Sequence, residues 1–151
     1  DNVYVKIPIT NTAGESSCPL VKRLANAGVK TNVTAIFTLN QVRAVIDALK
    51  TGPSAYISVF AGRIADTGVD PIPLMKECIE MLKPYPHLEL IWASPRELLN
   101  VFQADAIGCH VITVTNDILK KLPNIGKNLE EFSLDTVKMF RNDAVAAGFT
   151  L

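Results

Sequence analysis

Strand-like and helix-like stretches alternate five times along this chain, and that alternation narrows the possible folds more than any single motif. Runs rich in β-branched and aromatic residues fall at about 3–9, 31–37, 55–61, 88–93 and 109–114. A helical pattern follows each one. Ser17 can cap a helix that opens Cys18-Pro19 and closes at Gly28. Thr38 to Gln41 forms a capping box ahead of Leu39, Val42, Val45, Ile46 and Leu49 at helical spacing. Met75, Cys78, Ile79 and Leu82 stripe a third helix, and Ser94-Pro95-Arg96-Glu97 carries the signals of a fourth: N-cap serine, proline at the first position and glutamate at the third. A short helix near Thr115 or Asn116 and a last one over about 134–147 complete the pattern, with a mixed loop at 123–132 between them. Strands alternating with helices argue for parallel β-α-β units.

Two arrangements satisfy such units. A doubly wound open sheet of five strands would be complete at 151 residues, whereas a (β/α)₈ barrel takes eight units and about 250 residues. Several strands carry polar groups on one face, and strands buried between two helix layers are more uniformly apolar than that. The first β-α loop also lacks a glycine-rich phosphate fingerprint. Each unit averages about 30 residues, 151 shared among five. The pattern therefore predicts an α/β chain forming one domain over 1–151, the C-terminal five β-α units of a TIM (β/α)₈ barrel with the first three strands absent, ending in a helix.

Composition excludes several classes of partner. Lysine plus arginine equal aspartate plus glutamate at 15 each, with no basic block to track nucleic acid. No apolar run reaches the roughly 18 residues of a membrane span, and no signal peptide precedes the first strand. Cys18, Cys78 and Cys109 are an odd set without metal-like spacing and read as small buried thiols of a reducing cytoplasm. His87 and His110 stand apart from them, so a metal site has little support.

The first strand holds the residue of greatest chemical interest. Val3, Val5, Ile7 and Ile9 share one face, and Lys6 shares the other with Tyr4 and Pro8. An amine held in dry surroundings loses its proton more readily, and a neutral amine is what Schiff-base chemistry with a carbonyl requires. The plain alternative is a strand-end lysine reaching out to water. On later strands Thr34, Ser58 and Phe60 lie on the polar-bearing faces, while Arg63, Ser94 and Arg96 fall just past strand carboxyl ends, where barrel active sites gather. Each has a structural reading too: Thr34 a satisfied core hydroxyl, Phe60 core, Ser94 an N-cap, Arg63 a solvated charge or a partner of Asp66.

Taken together these residues resemble the transaldolase family, a class I aldolase-type barrel, nearest its short bacterial-type members and the fructose-6-phosphate aldolases. Val5-Lys6-Ile7-Pro8-Ile9-Thr10 is similar to the family's Schiff-base lysine strand. Asn32-Val33-Thr34-Ala35-Ile36-Phe37 resembles the next strand, with an active-site threonine at Thr34. Ser58-Val59-Phe60-Ala61-Gly62-Arg63-Ile64 resembles the strand that leads to a phosphate-binding arginine, and Ala93-Ser94-Pro95-Arg96 the serine and arginine that finish the phosphate site. The likeness runs over nearly the whole chain.

The resemblance implies transfer of a dihydroxyacetone unit between sugar phosphates in the cytoplasm, within the pentose phosphate pathway. Lys6 and Thr34 would be catalytic, and Phe60, Arg63, Ser94 and Arg96 would bind substrate. It implies no metal or organic cofactor, since the protonated imine is itself the electron sink, and no nucleic-acid or membrane partner. It leaves room for a homo-oligomer. Phenylalanine at 60, where fructose-6-phosphate aldolases carry tyrosine, favours transfer over simple cleavage. In the family the lysine lies on the fourth strand, after strands bearing an aspartate, a Thr-Asn-Pro asparagine and a glutamate or glutamine, and none of these precedes Lys6 here. A second reading is therefore a truncated, non-catalytic barrel remnant that binds sugar phosphate or serves as an assembly subunit. Thr10, Asn11, Ser58 and Asp66 receive no role.

Overall fold

The computed structural model describes residues 2–150. Two compact units divide the chain, one through Leu119 and one from Lys120. The first contains a five-stranded sheet: β1 (Val5–Pro8), β2 (Thr31–Ile36), β3 (Ala55–Val59), β4 (Leu88–Trp92) and β5 (Val111–Ile112). All neighbours pair in parallel, and their order across the sheet is their order in the chain. A doubly wound sheet would reverse direction at a switch point. This sheet does not, and its single-direction winding fits a section of a (β/α)₈ barrel.

The register separates the two faces. Ile7, Val33, Ile57 and Leu90 lie opposite one another across four strands and are all buried. One residue along, Lys6, Asn32, Tyr56 and Glu89 form a matching polar row. Because successive side chains point to opposite faces, one face packs on helices and the other carries the polar groups. The helices are α1 (Cys18–Asn26), α2 (Leu39–Leu49), α3 (Ala61–Ala65), α4 (Ile72–Leu82), α5 (Leu99–Ala106) and α6 (Asn116–Leu119). α1 packs against α2 and α2 against α4, and Val21, Val42, Val45, Leu49, Met75 and Cys78 join the outward strand residues in one core.

Several expected boundaries shift for identifiable reasons. The α2 capping box forms as expected, with the Gln41 N–H donating to Thr38 Oγ1 and Gln41 Oε1 accepting from the Thr38 N–H. Ser17 stands at the α1 N-cap position without a side-chain bond, and Ser16 Oγ accepts from the Cys18 N–H instead. The fifth strand keeps only two of its six expected residues. The His110 ring Nδ1 takes the Leu90 N–H that a longer strand would pair, at 3.1 Å. The third strand ends at Val59, and Ala61, expected as its last residue, instead opens α3.

The unit from Lys120 contains a 3₁₀ turn at Leu122–Asn124 and a long helix, α7 (Leu129–Ala146). α7 starts five residues before its expected place because Asn128 Oδ1 accepts from both the Glu130 and Glu131 N–H groups. A Lys127–Asp135 ion pair at 2.7 Å closes its first turns and draws the Asp135 carboxyl below its usual range, chiefly through the hydrogen bond. Among the described residues, no helix is long and apolar enough to cross a membrane.

Candidate active site

Lys6 sits on β1 in the polar row, directly opposite Asn32 of β2. The dry surroundings expected for it are not what forms: Lys6 and Pro8 are exposed, and Val5 is 45% exposed. β1 lies at the sheet edge and pairs only with β2, and an edge strand shields its side chains from one side. Tyr4 is half-buried instead, its ring 4.6 Å from that of Tyr56. The Glu89 carboxylate, then burial, push the Tyr56 phenol above its usual range.

β2 changes register at the point where Thr34 appears. Val33 pairs with Ile57 and Ile36 with Val59, so Thr34 and Ala35 together oppose Ser58. This is a bulge, and Ala35 takes a left-handed φ of 61° to make it. Thr34 is 6% exposed, and its Oγ1 is buried without a hydrogen-bond partner. A buried hydroxyl with no partner is costly, so the expectation of a satisfied core hydroxyl fails here. Beside it the Ser58 hydroxyl donates to Asn32 Oδ1 at 2.7 Å. Sequence reasoning assigned neither residue a role. The signal was present in their even-numbered positions on the lysine-bearing face.

Beyond the carboxyl ends of β3 and β4, two segments lock together. The Gly62 N–H of α3 donates to the Ala93 carbonyl at 3.3 Å, and a Cβ on Gly62 would lie 1.5 Å from the Ser94 carbonyl oxygen. Only glycine allows that approach. The Arg63 guanidinium rests over the Phe60 ring at 5.2 Å, and Phe60 in turn meets Phe37 at 5.7 Å. Phe60 is half-buried and forms the floor under that arginine.

The four-residue helix start at Ser94 is not present. Ser94 has φ of 57°, a left-handed backbone that an N-cap residue does not adopt, and α5 begins five residues later at Leu99. No helix terminus therefore stands at Ser94 to receive an anion. α5 has no side-chain N-cap; Asn100 Oδ1 instead accepts from the Arg96 N–H at 2.7 Å and the Glu97 N–H at 3.1 Å, bracing the segment that leads into the helix. Asp66, the C-cap of α3, pairs with Arg96 rather than with Arg63. Arg96 Nε donates to Oδ1 at 3.0 Å and Nη2 donates to Oδ2, and this hydrogen bonding raises the guanidinium pKa above its usual value.

The structure thus brings Lys6, Thr34 and Ser58 onto one sheet, and joins the Arg63 helix to the Ser94–Arg96 segment. An amine flanked by hydroxyl and amide groups, with guanidinium groups beyond the strand ends, suits a polyhydroxylated carbonyl compound bearing an anionic end. Cavities of about 310 Å³ (around Arg43, Met81 and Tyr85) and about 280 Å³ (around Leu82, Lys83 and His110) lie elsewhere, and no site residue lines them.

Known proteins share this arrangement of sequence. A "Probable transaldolase" of Nitrosopumilus maritimus is 37% identical over 144 residues, which span 92% of this chain and 61% of that protein. One from Methanococcus maripaludis is 38% identical over 125 residues, 82% of this chain and 54% of its own length. "Probable transaldolase 2" of Listeria monocytogenes is 38% identical over 138 residues, 89% and 60% respectively. The chain spans about six-tenths of the length of the curated relatives it matches. The profile described as Transaldolase/Fructose-6-phosphate aldolase matches residues 1–151. The chain belongs to the transaldolase/fructose-6-phosphate aldolase family.

Proposed function

We propose that the protein carries out transaldolase-type class I aldol transfer through a Schiff base on Lys6, moving a dihydroxyacetone unit between sugar phosphates. The polar row that sets Lys6 opposite Asn32 carries this reading, with family membership behind it. The Lys6 amine adds to the ketose carbonyl, and loss of water forms an imine. The hydroxyl on the β carbon gives up its proton and becomes the carbonyl of a departing aldose phosphate as the bond between the α and β carbons breaks. The electron pair of that bond passes into the protonated imine to give an enamine. The enamine carbon then attacks the carbonyl of an acceptor aldose phosphate, and water releases the new ketose from Lys6. The unpartnered Thr34 hydroxyl suits a water or substrate hydroxyl. Arg63, Ser94 and Arg96 suit the phosphate, and the aromatic floor of Phe60, which has no hydroxyl, favours transfer over fructose-6-phosphate aldolase cleavage.

The native enzyme on this reading is a complete (β/α)₈ barrel whose first three strands close over the face that Lys6 shares. The exposure of Lys6 favours a second reading for these residues alone: sugar phosphate binding without turnover. Borohydride reduction of the whole native protein with a ketose phosphate tests the first. One adduct on Lys6 is expected, and Lys6→Arg abolishes both trapping and turnover because a guanidinium cannot form the imine. Trapping that persists in Lys6→Arg, or that maps to Lys22, Lys30 or Lys76, overturns it.

A further inference from the structure

Resting on the phosphate role of Arg96 just proposed, we infer that Asp66 is a positioning residue that holds the Arg96 guanidinium ready for the substrate phosphate. Arg96 is fixed at two places. Asn100 grips its backbone N–H, and the Asp66 carboxylate takes the Nε and Nη2 edge of its guanidinium in a two-point fork. The carboxylate itself comes from a fixed place. The Asp66 N–H closes α3 on the Gly62 carbonyl at 3.0 Å, and Gly62 is seated against Ala93 and Ser94. The segment bearing Arg96 and the helix bearing Arg63 are thus tied at both ends of α3.

The edge that Asp66 occupies matters. A guanidinium has further N–H donors on Nη1 and on the far side of Nη2. Those face away from Asp66 and remain able to grip a phosphate in a second two-point contact. Without the fork, a side chain that is 49% exposed would sample many rotamers and lose that freedom each time phosphate bound. The carboxylate also repels the phosphate. Both partners are about half exposed, so water screens that repulsion, and the ordering effect prevails.

Titration of the whole native protein with a ketose phosphate, and with the same ketose lacking phosphate, tests this. Asp66→Ala is expected to weaken the phosphorylated ligand about tenfold and the unphosphorylated one less than about twofold. Asp66→Asn, which keeps the shape and one acceptor oxygen, falls between and covers the case of an alanine variant that does not fold. A role exercised through Arg96 requires that Asp66→Ala add nothing in an Arg96→Ala background. Tighter phosphate binding in Asp66→Ala, equal losses for both ligands, or additive losses in the double variant would each overturn the inference. If Arg96→Ala selectively weakens the phosphorylated ligand while both Asp66 variants bind like the native protein, the inference falls and the phosphate site stands. If Arg96→Ala shows no selectivity, both fall.

Discussion

A methyl group on Gly62 would meet the Ser94 carbonyl oxygen at 1.5 Å, and that oxygen belongs to backbone that cannot swing aside. Gly62→Ala is therefore expected to push α3 off residues 93–95 and destabilise the fold by about 2–3 kcal/mol, read from urea unfolding. A loss below about 0.5 kcal/mol would mean that the two segments separate freely. Cys78 offers a second test. Burial in the core raises its thiol pKa to about 12. It should resist alkylation in the native protein at pH 8 and react only on unfolding. Its folded pKa lies above the ordinary thiol value, so the stability tied to its neutral form is complete below about pH 9 and is lost as pH rises toward 12. Rapid native-state labelling of Cys78 at pH 8 would contradict its packing between α4 and the sheet.

Local sequence signals succeed in α2 and fail in α5, and the contrast has a physical cause. Thr38 precedes its helix in extended backbone (φ −129°), so its side chain can reach forward to the Gln41 N–H. Ser94-Pro95-Arg96-Glu97 fits the same capping-box pattern, yet the close seat of Gly62 coincides with a left-handed Ser94 that cannot cap. Asn100 reaches back instead to brace Arg96 and Glu97, ahead of the helix. No local spacing rule anticipates a helix residue that braces the segment before it. Replacing Asn100 with alanine leaves two N–H groups without that acceptor and should cost about 1–2 kcal/mol. It should also loosen Arg96, so phosphorylated ligands weaken in parallel with stability. Unchanged thermal unfolding in Asn100→Ala would reduce this brace to a passive contact.

Across the chain, protection is expected to follow depth in the sheet. β2, β3 and β4 each pair on both sides and contribute Val33, Ile57 and Leu90 to the core at 0% exposure. α7 has no buried residue along its 18. Amide hydrogen exchange should be slowest in β2–β4, faster in the two-residue β5 and fastest in α7, because local opening costs least where least is buried. Slow exchange throughout α7 in these 151 residues would contradict that ranking.

Alternating apolar and polar residues dictated the five strands, the helices between them and the polar row that bears Lys6, because side-chain periodicity is written in neighbouring positions. The same alternation put Thr34 and Ser58 on that face without any knowledge of what lies opposite. Docking of distant segments settled the rest. It made the strand order run one way, inserted the bulge at Thr34 and Ala35, and paired Arg96 with Asp66, 30 residues earlier. Such contacts depend on which surfaces meet and how closely. A single glycine seated on a carbonyl fixes that closeness, and no local period encodes it.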